Sequence, residues 1–98
     1  MITKKTVVDQ IEILRSGPIQ VRLGLLLLEE GKEVDCKWHR TSIEPGIDVD
    51  LQMASVNAHL IQLGKAQVEI EDLSRIKAIV ALIHTPKIIS QFKEAVKS

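Results

Sequence analysis

The chain reads as an α+β domain: a three-stranded antiparallel β-meander followed by three α-helices packed on one face of the sheet. Three observations predict this. Residues 1–43 contain runs with a period near two, separated by the turn signals Arg15-Ser16-Gly17-Pro18 and Glu29-Glu30-Gly31-Lys32. Residues 51–98 instead carry apolar side chains at helical spacings of three and four. Strand-like and helix-like segments do not alternate, which excludes a parallel doubly wound sheet and places the helices on one side of a small antiparallel one.

In the first strand Val7, Ile11 and Ile13 alternate with Gln10 and Glu12. Gly17 and Pro18 break the run, because one supplies an unusual backbone angle and the other fixes its own. In the second strand Ile19, Val21, Leu23, Leu25 and Leu27 point one way, and Gln20, Arg22, Gly24, Leu26 and Leu28 the other. The second set begins polar and ends apolar, which predicts cover on both sides of the far half. The third strand, Glu33 to about Ile43, places Val34, Cys36 and Trp38 on one face. Glu33, Asp35, Lys37, His39 and Thr41 fall on the other. Cys36, among apolar neighbours, is expected to fill core space.

Residues 44–50, EPGIDVD, form the loop into the helical part. Proline disfavours helix at the residue before it, and Asp48 or Asp50 can cap the helix that follows. That helix is expected from about Leu51 to Leu63, with a stripe of Leu51, Ala54, Ala58 and Ile61 widened by Met53, Val56, Leu60 and Leu63. Gly64 is its stop. After a connector at 65–69, a second helix runs from about Glu71 to Ile83 and turns Leu73, Ile76, Val80 and Ile83 inward. Thr85-Pro86 starts the third, a hydroxyl cap followed by proline at the first helical position. Its buried stripe is Ile89, Phe92 and Val96.

The chain has 98 residues, which suits one domain, 1–98. Lys plus Arg number 13 and Asp plus Glu number 13, so the formal charge is zero. That balance argues against nucleic acid as a partner and removes the self-repulsion that opposes association. Aromatic residues make up only 2%, so the core must be aliphatic and no stacking platform for single strands exists. The single cysteine, Cys36, excludes an intramolecular disulfide and a multi-cysteine zinc site, and fits intracellular synthesis. No apolar segment suggests a signal peptide or a membrane span, so no membrane partner is expected.

Candidate chemistry is sparse. His39 could act as a general base or ligand, but a strand histidine beside a turn explains it as well. His39, His59 and His84 show no short ligand spacing, so no metal site is predicted. His84 falls at the end of the second helix, where a protonated ring favours the helix dipole. The GIDVD run, Gly46 to Asp50, lacks the later ligands of a calcium loop. No catalytic residue and no cofactor is therefore assigned. Trp38, His39 and Arg40, with the Pro45-Gly46 turn, form the one candidate partner-binding patch, since Trp and Arg are enriched at the energetic centres of interfaces. The competing explanation is a tryptophan covering the sheet edge while Arg40 pairs with a helix carboxylate.

The runs WHR (Trp38–Arg40), PGIDVD (Pro45–Asp50) and IVALIHTPKIISQF (Ile79–Phe92), after QIEILRSGPIQVR at the start, carry a family likeness. In this order the chain resembles small structural-cluster proteins of tailed bacteriophages. It departs from their pattern in a longer stretch from Asp50 to Arg75, and in Ile47, where an acidic residue is usual. The resemblance implies a non-enzymatic structural or interaction protein that connects or decorates tail, baseplate or fibre components. Its partners would be other virion or tail-assembly proteins, with a homo-oligomer also open. It would be made in the host cytoplasm and located in the virion. An alternative is a cytoplasmic small-ligand or regulatory binding domain, with a pocket between sheet and helices. A hydrolase using His39 with an acid or Ser42 is a third.

Overall fold

The computed structural model describes residues 1–97; Ser98, the last residue of the expected helical part, lies outside the described residues. The elements are β1 (Ile2–Ile13), β2 (Ile19–Glu29), β3 (Lys32–Ile43), α1 (Val49–Gln62), α2 (Ile70–Ile83) and α3 (Pro86–Lys97). The strands form one antiparallel sheet in the order β1-β2-β3, and the fold is the α+β arrangement the sequence predicts. β1 begins earlier than its own alternation suggests. Lys4 and Lys5 sit opposite Leu27 and Leu26, so the long central strand recruits them into the ladder through backbone pairing.

Both turns follow from their residues. Gly17 N donates to Leu14 O at 2.9 Å, and Leu14 N to Pro18 O at 3.0 Å. Gly17 has φ +116°, and a Cβ there would stand 2.7 Å from Pro45 Cγ, so only glycine suits the site. At the second turn Glu30 and Gly31 have φ of 51° and 82°, the pair of positive angles that a two-residue type I′ hairpin needs.

Helices cover one side of the sheet over its near half. Ile19, Val21, Leu23 and Ile43 meet Met53, Val56 and Leu60 of α1, Ile76 and Val80 of α2, and Val68 of the connector in one aliphatic core. The expectation for the far half of β2 is reversed. Leu25–Leu28 are only partly buried, because α1 and α2 lie over the Ile19–Leu23 rows. The connector reaches further, through Lys4 Nζ to Gly64 O at 2.8 Å, Thr6 Oγ1 to Ala66 O at 2.7 Å and the Thr6–Val68 bridge.

The faces also need correction. A bulge between Val8 and Gln10 shifts the parity of β1, so Val8 and Ile11 face the helices and Val7 faces away. In β3 it is His39, Thr41 and Ile43 that share the helix side with Leu23, Val21 and Ile19. Cys36 and Trp38 lie on the far side, and Cys36 does not fill the core.

α1 is capped as expected, with Asp48 Oδ1 accepting from Asp50 N at 2.8 Å and Leu51 N at 3.3 Å. Its roll differs from the expected stripe. Met53, Val56 and Leu60 are buried, while Leu51 is 70% exposed and Ile61 54%. The observed roll places three large side chains inward, whereas the other stripe would spend two of its positions on alanine and bury less apolar area. Lys77 Nζ reaches Asp50 Oδ1 at 2.6 Å and ties α2 to α1. In α3, Ile88 N donates to the capping hydroxyl of Thr85 at 3.3 Å. Ile88 and Ile89 rest by the Gly17 and Gly46 turns. Val96, expected inside, is 69% exposed, because the helix runs past the turns that receive its start.

Candidate functional site

The side of the sheet away from the helices carries the most organised set of exposed side chains. Trp38 sits opposite Gly24 on the central strand. A Cβ on Gly24 would lie 3.5 Å from Trp38 Cζ3 and 3.6 Å from Val7 Cγ2. The missing side chain thus makes a shallow bed between Val7 and the indole. Arg22 Cζ is 4.7 Å from the centre of the Trp38 ring, a cation–π contact. Arg22 Nε in turn donates to Asp9 Oδ2 at 2.8 Å. Asp9 is the residue displaced by the β1 bulge, so an acid–guanidinium–indole chain crosses all three strands. It sets the Arg22 guanidinium over one side of the Trp38 ring, which remains 53% exposed.

Below Trp38 a strip of apolar side chains runs down the open face between Lys5 of β1, opposite Leu26, and Glu33 of β3, opposite Leu28. Leu26 stands opposite Cys36, with Leu28 beyond and Val34, 53% exposed, at the β3 bulge. Partial burial pushes the Cys36 thiol above its ordinary pKa, and the carboxylates of Glu33, Asp9 and Asp35 add to that; Arg22 opposes them. At a given pH the group therefore holds less thiolate, the form that reacts. Above Trp38 the face is polar: Arg40 stands opposite Arg22, with Gln10 and Gln20 nearby. Arg40 projects on the side opposite the helices and forms no ion pair with a helix carboxylate among the described residues.

The predicted patch is thus divided. Trp38 and Arg40 share the open face. His39 is on the helix side, its ring centroid 5.5 Å from that of His59 and tilted by 35°. Pro45 is buried and Gly46, with φ +92°, lies by Ile89 and Lys93, so this turn receives α3. Ser42 points to the face opposite His39. Of the three histidines, two meet and the third, His84, instead places Nε2 2.8 Å from Gly17 O, tying the end of α2 to the first turn. No group of three or more His, Cys, Asp or Glu side chains gathers for a metal among the described residues.

Sequence reasoning missed Asp9, Arg22, Gly24 and Val7. The two-residue turn at Glu30-Gly31 would by itself set Gly24 opposite Lys37 and Arg22 opposite His39; the bulge between the Leu27 and Leu28 pairings moves the register by one and brings Gly24 and Arg22 opposite Trp38 and Arg40. The contribution of Asp9 needed the bulge in β1, which local pattern does not announce.

An open cleft of about 400 Å³ lies between the β1 bulge and α2, lined by Val8, Asp9, Ile11, Arg75 and Ile79. Among the described residues no helix is long and apolar enough to cross a membrane. No known family, curated protein or solved structure matches the chain.

Proposed function

We propose that this chain is a non-enzymatic interaction domain that docks through its open sheet face, and that its partner is another virion or tail-assembly protein of a tailed phage. In that role it connects or decorates tail, baseplate or fibre parts, is made in the host cytoplasm, and resides in the virion. The observation that carries the docking half of the proposal is Trp38. It is a half-exposed indole with Arg22 over one side of its ring and an apolar strip below, and rigid aromatic anchors lose little entropy when a partner covers them. The phage half is supported by the sequence likeness of the strand, turn and helix runs. The role requires no cofactor.

The test is Trp38→Ala combined with Arg40→Ala. Both side chains lie outside the core, so the isolated double variant keeps its circular dichroism spectrum and melting behaviour. Its incorporation into particles, followed by co-purification with virions, falls by roughly thirtyfold, the equivalent of about 2 kcal/mol for a central interface residue. Normal incorporation of a folded double variant would remove the proposal.

A further inference from the structure

The outer edge of β3 is the unfinished part of the sheet. β3 is twelve residues long, has β2 as its only strand partner among the described residues, and contains no proline. Such an edge presents a row of free N–H and C=O groups ready to pair with another strand. Asp35 and Lys37 are exposed on it, and neither belongs to an ion pair among the described residues. Val34 and Trp38, each 53% exposed, flank them.

We infer that a second copy of this chain pairs with this edge, β3 against β3 and antiparallel, about a twofold axis at Cys36. The charge pattern selects this occupant and this register. A twofold axis normal to the sheet keeps each face continuous, so it must pass through a residue position. With the axis at Cys36, Asp35 of each copy stands opposite Lys37 of the other. Opposite charges facing each other across strands stabilise the pairing. Moving the axis one residue either way sets Lys37 against Lys37 or Asp35 against Asp35, which like-charge repulsion disfavours. The bulge between the Leu27 and Leu28 pairings falls at Val34, so it ends the regular stretch there and limits the pairing to a short segment. The two three-stranded sheets then form one continuous sheet with the indole faces on the same side. Zero formal charge leaves no net repulsion between the copies.

This inference stands apart from the docking proposal, since it concerns the purified chain alone and different side chains. The experiment is sedimentation equilibrium over a dilution series with wild type, Asp35→Lys, Lys37→Asp and the double exchange. Wild type is expected to form a dimer. Each single exchange places like charges opposite each other twice and weakens the dimer roughly tenfold or more, with an unchanged circular dichroism spectrum. The double exchange restores it. Mixing the two single variants yields a one-to-one heterodimer, because their charges then complement each other across the axis. A wild type that stays monomeric at its highest soluble concentration overturns the inference. So does a dimer that both single exchanges leave intact, since another surface would then hold it together.

Discussion

β1 and β3 are edge strands of equal length, and the molecule treats them differently. The β1 edge is occupied in its middle. Thr6 forms a parallel bridge with Val68, Glu69 N donates to Thr6 O at 3.1 Å, and Asp72 Oδ2 accepts from Val8 N at 2.8 Å. The bulge at Asp9 then turns the strand aside. The β3 edge has none of this cover, only alternating charge and a bulge near its start. The difference teaches where the helical half is used: the chain returns from α1 past β1, so the connector and the first turn of α2 cap that edge at no additional length. β3 feeds directly into α1 across a short loop; α1 meets its side chains through Gln52–Thr41 and His59–His39, and among the described residues no segment pairs with its outer backbone edge.

The comparison can be broken at several depths. The largest effect is expected from Asp72→Ala, which leaves the part-buried Val8 N–H without its charged acceptor. Urea unfolding should show a loss of about 2 kcal/mol, and Asp72→Asn, which keeps an acceptor, should lose less. Thr6→Val comes next. Thr6 is 1% exposed and its hydroxyl donates to Ala66 O, so the isosteric change removes the bond but not the volume. It should cost about 1–2 kcal/mol in the same assay, with faster amide exchange in the connector. On the other edge, Asp35→Ala should change the stability of the monomer by less than about 0.5 kcal/mol, because Asp35 is exposed and belongs to no ion pair among the described residues. If Asp35→Ala destabilised the dilute monomer as much as Thr6→Val does, the two edges would not differ in kind.

The smallest effect sharpens the same contrast from the thiol. With its pKa raised, Cys36 carries less thiolate at a given pH than an unfolded cysteine, so iodoacetamide alkylation of the dilute folded monomer should be slower and its rate should rise at higher pH. Asp35→Asn removes one of the acids that raise the pKa and should speed the reaction modestly. Partial burial is the larger cause, so the variant remains slower than the unfolded chain.

Much of the fold was legible because its signals are local. Gly17-Pro18 and Glu30-Gly31 fix turns by backbone angle, Asp48 and Thr85 cap helices through their own side chains, and the change of period near Val49 separates sheet from helices. The candidate site was legible only in part. Trp38 and Arg40 share a face because residues two apart do so along a stretch of strand that no bulge interrupts. His39 could not share it, and the alternation already implied that. The roles of Pro45 and Gly46 depended on α3, whose path no local pattern encodes.

By itself, then, the sequence determined the order of elements, their ends and the alternation within each strand, all of which follow from interactions between near neighbours. Tertiary structure alone decided which side of β2 the helices cover, how α1 rolls, and which edge stays bare. Both sides of Leu25–Leu28 are apolar and α1 is apolar over much of its circumference, so periodicity leaves these choices open. They were settled where the helices could bury most aliphatic volume over Ile19–Leu23 while the connector met the hydrogen-bonding groups of β1.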